Sequence, residues 1–291
     1  MSARRLVNVL IDTDIGDDVD DAFALALAAR LPDLRLCGVT TVAGPVERRA
    51  ALAAALLAAA GRPDVPVVAG ARAMSDGRPG PARFSHEIGE WGETIGGFSK
   101  VQVTDFVLAL SRDHAPLTII GLGPLTNIAA ALGRDPALAG RARLVAMGGA
   151  LCPPYPDWNL RCDPAAARAV LRSGLPVTLV GMHVTRRARF GPARLRRLLA
   201  TDDPLARVLG RCVLAWRTWQ RRTPILHDAL TVAIAWDPAL ARLEARRVLV
   251  GWRGFSAALR RGPPNALVCL DAAIARFDRL LAAALLSRAD A

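Results

Sequence analysis

The sequence has few cysteines and no apolar run long enough to cross a membrane. Five cysteines are scattered along 291 residues without CxxC spacing, which argues against a zinc ribbon or disulfide framework and indicates a reducing, cytoplasmic compartment. Arg, Asp and Pro interrupt the apolar runs, so no membrane partner is expected. Two acidic residues follow the first apolar stretch too early for a secretory signal, and that stretch is predicted to be a strand.

Lysine is almost absent, and Lys100 is the single one in the chain. The basic residues are therefore almost all arginines, and they give the protein a formal net charge of +12. An excess of positive charge is typical of nucleic-acid-binding proteins. The arginines, however, stand singly or in pairs between apolar residues on predicted helices such as Pro192–Leu199 and Val208–Arg222. A solvated basic surface explains this pattern, so no nucleic-acid partner is predicted, and a nucleic-acid binder stays an alternative on charge alone.

Short β-branched runs alternate with helical patterns through the first 180 residues. Strands are predicted at Leu6–Ile11, Leu34–Val42, Val65–Ala69, Leu117–Leu122, Arg143–Met147 and Pro176–Val180. Helices are predicted at Asp20–Leu31, Glu47–Ala60, Val103–Asp113, Leu125–Leu132 and Pro164–Arg172. The alternation predicts an α/β protein with an open, mostly parallel sheet, helices on both faces and a Rossmann-like core. Strand-like runs return at Arg247–Val250 and Leu267–Leu270, and without repeats or linkers one domain over residues 1–291 is expected.

Several unusual residues follow predicted strands, at the edge where parallel sheets bind ligands. Asp12, Gly123 and His183 each come after such a strand. The segment Gly70–Gln102 contains Gly, Pro and aromatic residues with little periodicity. Loops of that length in a compact domain are usually functional, so a lid is predicted there.

An acidic loop follows the first strand and places six carboxylates within ten residues. They are Asp12, Asp14, Asp17, Asp18, Asp20 and Asp21. So many carboxylates repel one another unless a cation or protons relieve the charge, and oxygen ligands without Cys or His favour Ca²⁺ or Mg²⁺. Asp20 and Asp21 also suit a helix N-terminus. A magnesium-dependent phosphatase with a strand-end Asp-x-Asp is an alternative enzyme, although no convincing phosphatase lysine is found.

The acidic loop and five further segments resemble, in order, the motifs of the inosine-uridine type nucleoside hydrolases. The segments are Val9–Ala22, Thr40–Gly44, Gly123–Asn127, Met147–Gly149, Trp158–Pro164 and His227–Asp228. The resemblance implies the nucleoside hydrolase fold and a Ca²⁺-dependent enzyme that hydrolyses the N-glycosidic bond of a ribonucleoside to ribose and free base. It also implies a small-molecule nucleoside substrate and a homodimer or homotetramer.

The same resemblance implies the roles of individual residues. The metal ligands are expected to be Asp14, Asp21, the backbone carbonyl of Thr126, and Asp228. Asp14 also corresponds to the base that deprotonates the attacking water, and His227 to a residue that protonates the leaving base at a pKa near neutral. Substrate contacts are expected from Asp20, His86, Asp157 and Asn159. Carboxylates suit this reaction because positive charge develops on the ribosyl group in the transition state.

Four features depart from the family pattern, one of which is the stretch Leu151–Pro156, where an Asn that many members carry is missing. The acidic loop carries two extra residues, which leaves the roles of Asp18 and Asp20 to be distinguished. Pro45 stands where a polar residue is usual, and Asp157 replaces a longer Glu before the aromatic-Asn pair. Metal binding is expected to be intact and ribose recognition altered. A non-catalytic nucleoside- or ribose-binding relative is therefore kept as a further alternative.

Overall fold

The fold is built on a nine-stranded sheet. A computed structural model describes residues 6–81, 98, 99, 101–151 and 154–286. The strands are β1 (Val7–Thr13), β2 (Leu34–Thr41), β3 (Val67–Ala69), β4 (Leu117–Gly121), β5 (Ala142–Met147), β6 (Ala150–Leu151), β7 (Pro154–Tyr155), β8 (Val177–Val180), β9 (Ala241–Val250), β10 (Ser256–Leu259) and β11 (Ala266–Ala272). The sheet has the order β10-β9-β11-β8-β5-β4-β1-β2-β3, and β6 and β7 form a separate pair.

Parallel pairing runs from β11 through to β3, and β9 is antiparallel to both β11 and β10. The predicted open, mostly parallel sheet is therefore confirmed. Because strands of a parallel set point the same way, the segments that follow β1, β2, β4, β5 and β8 all leave the sheet at one edge. That edge carries the site described below.

Helices cover both faces of the sheet, as predicted. They are α1 (Asp20–Arg30), α2 (Val46–Ala59), α3 (Val103–Asp113), α4 (Thr126–Arg134), α5 (Leu138–Arg141), α6 (Trp158–Cys162), α7 (Pro164–Arg172), α8 (Met182–Thr185), α9 (Pro192–Leu199), α10 (Pro204–Gln220), α11 (His227–Trp236) and α12 (Ile274–Leu285). Val9 and Ile11 of β1 pack with α1, α2 and α9–α12, whereas Leu10 packs with α3, α4, α5 and α7. This alternation follows from the two-residue period of a strand. No helix among the described residues has the length and apolarity needed to span a membrane.

The structure extends several predicted elements and adds others. β1 continues through Thr13 instead of ending at Ile11, and β9 spans Ala241–Val250 where only Arg247–Val250 was predicted. The strand β10 and the pair β6–β7 were not predicted. β9 carries three arginines and alternates between exposed and partly buried positions, so its amino half lacks the apolar run that marks a buried strand.

The predicted lid lies largely outside the described residues. Of the segment 70–102, residues 70–81 form a turn closed by a bridge between Ala73 and Pro79, and Ser99 bridges to Val68 of β3. His86 is among the residues that are not described. Its predicted contact with substrate therefore stays a prediction.

Candidate active site

The acidic loop lies between the end of β1 and the start of α1, and most of it is buried. Asp14 follows β1, and Asp20 and Asp21 form the first turn of α1; all three side chains are at most 5% exposed. Asp228 lies in the first turn of α11 and is also buried. Two helix N-termini thus face this region, and their unpaired backbone N–H groups favour negative charge.

Three of these carboxylates form one compact group, which we call the acid cluster. Asp20, Asp21 and Asp228 each offer an oxygen, and these oxygens lie within 4.8 Å of one another. Burial and the neighbouring carboxylates raise the pKa of all three well above the ordinary value. A buried group of this kind is stabilised either by protons or by a cation, and its oxygen-only donors fit a hard divalent cation.

Asp14 is adjacent to the acid cluster rather than a member of it. Its negative charge raises the pKa of Asp21 and, less strongly, of Asp20 and Asp228. Its own pKa is raised by burial. A Cβ added at Gly123, in the loop after β4, would lie only 3.0 Å from Asp14 Oδ1, so the absence of a side chain there lets the carboxylate approach. The structure thus brings together Asp14, Asp21 and Asp228, as predicted, and places Asp20 among them.

Arg49 of α2 forms hydrogen bonds with the acidic loop, and it was not predicted from the sequence. Its side chain is fully buried. The guanidinium donates to the carbonyls of Ala43 (2.7 Å), Ile15 (2.9 Å) and Asp14, and to Asp17 Oδ2 (3.2 Å). A buried cation with this many acceptors positions the loop and offsets part of its charge. Arginine pairs are common on the helices of this chain, so no sequence signal separates Arg49 from its solvated neighbours.

Asp12, the first acidic residue, is hydrogen-bonded to neighbouring elements through one carboxylate oxygen, and its Oδ2 is buried without a partner among the described residues. Its Oδ1 accepts hydrogen bonds from Thr40 Oγ1 (2.6 Å) and Asn127 Nδ2 (2.7 Å), and burial raises its pKa to about 7. Asn127 also binds the carbonyl of Thr41 and the backbone N–H of Ala71. This network joins β1, β2, the segment after β3, and α4.

Thr126, whose carbonyl is predicted to bind the metal, is the first residue of α4. Its hydroxyl donates to Asp163 Oδ2 at 2.8 Å. The Asp163 carboxylate also accepts from Ser75 N (2.7 Å) and Ser75 Oγ (2.5 Å), and it caps α7 through Ala166 N (2.9 Å). Asp163 therefore connects α4, α7 and the root of the predicted lid.

Asp157 and Asn159 lie at the start of the short helix α6, and both are buried. Asp157 caps the helix by accepting from Leu160 N at 3.0 Å, and burial raises its pKa to about 6. Asn159 Nδ2 donates to the carbonyls of Leu122 (2.6 Å) and Met147 (3.3 Å). The Nδ2 group is thus occupied by backbone carbonyls at the ends of β4 and β5, and the predicted contact of Asn159 with a ribose hydroxyl stays a prediction.

His227 precedes Asp228 at the start of α11 and is partly buried. Its Nδ1 is 2.6 Å from Thr185 Oγ1. Burial, together with the charges of Arg186 and Arg222, lowers the pKa of His227 to about 4. This direction is opposite to the near-neutral pKa expected, chiefly because burial disfavours the charged ring, and the positive charges of Arg186 and Arg222 oppose it further.

A family model for the inosine-uridine preferring nucleoside hydrolases matches residues 9–279 of the chain. The chain belongs to this family. The match spans β1 to α12, and so includes every described side chain of the acid cluster. Membership confirms the predicted fold and the predicted reaction, hydrolysis of ribonucleosides to ribose and free base. It favours the hydrolase over the phosphatase alternative.

Relatives of this nucleoside hydrolase have names that state different base preferences. A pyrimidine-specific ribonucleoside hydrolase of Salmonella paratyphi A is 30% identical, over 94% of this chain and 96% of that one. A solved plant nucleoside hydrolase is 26% identical with a TM-score of 0.85, covering 97% and 99% of the two chains. A solved purine-preferring ribonucleoside hydrolase of Gardnerella vaginalis is 25% identical with a TM-score of 0.82, covering 96% and 98%. Family membership therefore leaves the base open.

Pro45 is one of the positions at which the sequence is expected to depart from the family pattern. It precedes α2, and together with Arg48 and Arg72 it lines two cavities of about 650 and 450 Å³ beside the site. Proline offers no side-chain donor or acceptor there. Arg49, one turn further along α2, instead supplies the polar contacts that α2 makes with the acidic loop.

Proposed function

We propose that this chain is a Ca²⁺-dependent ribonucleoside hydrolase whose reaction takes place at the acid cluster. The buried group of Asp20, Asp21 and Asp228, with oxygens within 4.8 Å of one another, is the observation that carries the proposal. Asp21 and Asp228 would hold the cation, with Asp14 and the Thr126 carbonyl completing the set that the family resemblance implies. When bound, Ca²⁺ would neutralise the cluster, orient the ribose hydroxyls and make a water more acidic.

The protein's own groups account for the remaining chemistry. Asp14 accepts one proton from the attacking water, whose oxygen bonds to C1′ of the ribose while the electron pair of the C1′–N bond leaves with the base. The buried carboxylates around C1′ stabilise the positive charge that develops on the ribosyl group. Asn159 and Asp157 contact ribose hydroxyls, Asp20 orients the sugar, and His86 approaches the base. His227 assists departure of the base.

The direct test is ribose release from inosine, guanosine, uridine and cytidine, with Ca²⁺ and again after chelation. Asp14→Ala should lose at least about 100-fold in kcat, the size of effect that loss of a general base has. Asp202→Ala is the control, because Asp202 is fully exposed and forms an ion pair with Arg207 at the surface. Calcium-dependent release that Asp14→Ala abolishes supports the proposal and ranks the bases.

The second candidate is a relative that binds a nucleoside or ribose without turnover. Asp157 favours it, since its shorter carboxylate is used to cap α6. Calcium binding with no ribose release from any nucleoside in the panel would support this candidate and contradict hydrolysis. Calcium-independent release would contradict the metal assignment.

We also propose a cytoplasmic homodimer or homotetramer. Cys37, Cys212 and Cys269 are buried free thiols, as expected in a reducing compartment. Exposed apolar side chains, among them Trp252, Phe255 and Leu259, lie on the edge strand β10 and the turn before it and give a second copy a surface to bury. Light scattering on the purified chain tests the oligomer, and a monomer at micromolar concentration would contradict it.

A further inference from the structure

Thr185 is the one described residue that contacts the imidazole ring of His227 through a hydrogen bond. It ends the short helix α8, which follows β8, and its side chain is fully buried. The Oγ1 of Thr185 is 2.6 Å from His227 Nδ1. The other ring nitrogen, Nε2, has no partner among the described residues and is not one of the buried unpaired atoms. Nε2 is therefore not completely buried.

The direction of this hydrogen bond follows from what the hydroxyl can reach. A buried hydroxyl donates its hydrogen when an acceptor is available, because a buried donor left without an acceptor destabilises the fold. Within the described part of the chain, His227 Nδ1 is the acceptor in contact with Thr185 Oγ1. Thr185 therefore donates and Nδ1 accepts. A neutral ring whose Nδ1 is an acceptor carries its hydrogen on Nε2.

We propose that Thr185 is a positioning residue that holds His227 in the Nε2–H tautomer, so that the ring presents a hydrogen-bond donor to the departing base. This inference rests on the proposed function, in which His227 assists the leaving group. The donor stabilises negative charge as the C1′–N electron pair moves onto the base. The base takes its final proton from solvent, and Asp14 returns to solvent the proton that it took from water.

The surroundings of the ring favour a neutral donor. Because Nδ1 accepts the hydrogen of the Thr185 hydroxyl, this nitrogen carries no hydrogen of its own and the ring is neutral. An uncharged imidazole that polarises a substrate through N–H is an established form of electrophilic assistance. Its orientation must then be set by a hydrogen bond to the other nitrogen, which Thr185 provides.

The backbone around Thr185 and His227 fixes their separation. Ala188, three residues after Thr185, accepts from Leu226 N at 2.7 Å, directly before His227. Arg189 and Ile225 form a bridge between the same two segments. Two adjacent chain segments thus bring the Thr185 hydroxyl to the ring, so replacing only the hydroxyl should leave the ring in place.

Three variants distinguish the hydrogen bond made by the Thr185 hydroxyl from the packing of the Thr185 side chain. Thr185→Val removes the hydroxyl and keeps the shape, and Thr185→Ser restores the donor. Thr231→Val is the matched control, because Thr231 is equally buried and its hydroxyl bonds the backbone carbonyl of His227 at 3.0 Å instead of the ring. Each is assayed on a nucleoside that the wild type cleaves and on p-nitrophenyl β-D-ribofuranoside, whose leaving group departs as a stable anion without assistance.

Thr185→Val should lower kcat on the nucleoside at least about 10-fold, below the full worth of acid–base assistance, with KM changed less than twofold. The same variant should cleave the nitrophenyl riboside within twofold of the wild type, Thr185→Ser should recover most of the nucleoside rate, and Thr231→Val should change neither rate. Equal losses on both substrates would assign Thr185 a structural role and overturn the proposal.

Nitrogen NMR of the histidine rings tests the tautomer without any substrate. His227 of the wild type should show Nδ1 as the unprotonated nitrogen and Nε2 as the protonated one, and Thr185→Val should shift or mix this pattern. An Nδ1–H ring in the wild type would overturn the proposal. Because this spectrum is recorded on the protein alone, it decides the tautomer even if no nucleoside is hydrolysed and the proposed function fails.

Discussion

A single buried guanidinium connects the acidic loop to the rest of the protein. Arg49 reaches three backbone carbonyls and the carboxylate of Asp17 in the acidic loop. Arginine suits this position because its planar fork offers five donors, whereas lysine offers a point charge. Removing it leaves several buried acceptors unpaired and the carboxylates of the loop without their buried counter-charge.

Arg49→Met, which keeps much of the side-chain volume, should lower the free energy of unfolding by about 3–5 kcal/mol, the range for breaking a buried ion pair from one side. The measurement is urea unfolding of the calcium-free protein. Arg48→Met is the control, since Arg48 is exposed, and should change stability by no more than about 0.5 kcal/mol. Equal effects of the two substitutions would show that Arg49 contributes no more to the free energy of unfolding than an exposed arginine does.

Asp157 gives a pH dependence whose sign follows from burial. Its pKa in the folded protein is about 6, above the ordinary 3.8, so the folded state binds this proton more tightly than the unfolded state does. The stabilisation is complete below about pH 4 and is lost as pH rises through about 6. Asp157→Asn should therefore gain about 3 kcal/mol on the wild type between pH 4 and pH 7. Urea unfolding of both proteins across that range measures the difference, and a constant difference would contradict the shift.

At the scale of elements, the site depends on how helix starts are joined to one another. Asp163 caps α7, receives the hydroxyl of Thr126 at the start of α4, and binds Ser75 twice. One carboxylate thus sets the positions of two helices and of the chain that leads into the predicted lid. By contrast, Asp203 caps α10 at the surface and pairs with Arg30.

Asp163→Ala should lower the free energy of unfolding by about 2–4 kcal/mol, because a cap worth about 1 kcal/mol is lost together with the partners of buried donors. Asp203→Ala serves as the comparison and should cost about 1 kcal/mol, since its cap and ion pair are partly exposed. Thermal or urea unfolding of both variants measures the contrast. If Asp163→Ala lowers the free energy of unfolding no more than Asp203→Ala does, then Asp163 stabilises the protein only by capping α7.

At the scale of the molecule, a chain of net charge +12 concentrates negative charge at one buried edge of its sheet. The acid cluster brings together the start of α1 and the start of α11, which lie about 200 residues apart in the chain. Repulsion among these carboxylates opposes folding at neutral pH unless a cation binds. Any cation that binds the folded state alone stabilises it by mass action.

Calcium at about 100 times its dissociation constant should add about 2.7 kcal/mol, and raise the melting temperature by about 5 °C or more. Asp228→Asn should abolish this increase and, by removing one repelling charge, melt no lower than the wild type in chelator. Asp202→Asn, at an exposed ion pair, should retain the full calcium effect. Scanning calorimetry with and without chelator makes the comparison, and a calcium effect that survives Asp228→Asn would move the metal away from the acid cluster.

Local pattern was enough to predict the sheet class and most of its elements. The alternation of apolar runs and helical periodicity predicted β1, β2, β4, β5 and β8 with their helices, because burial on both faces marks a parallel strand in the sequence itself. Six motifs in order predicted the family. The amino half of β9 and the strand β10, both antiparallel, escaped prediction because they are half exposed and their sequence lacks a continuous apolar run.

The sequence by itself determined the reaction class and the carboxylate chemistry, because residue types in order along the chain identify both. Only the tertiary structure decided which groups meet: Asp20 joins Asp21 and Asp228, Arg49 holds the loop, and Thr185 orients His227. The reason is physical. A pKa, a tautomer and a buried ion pair depend on neighbours that are distant in sequence, and those neighbours are set by strand order and helix packing rather than by local pattern.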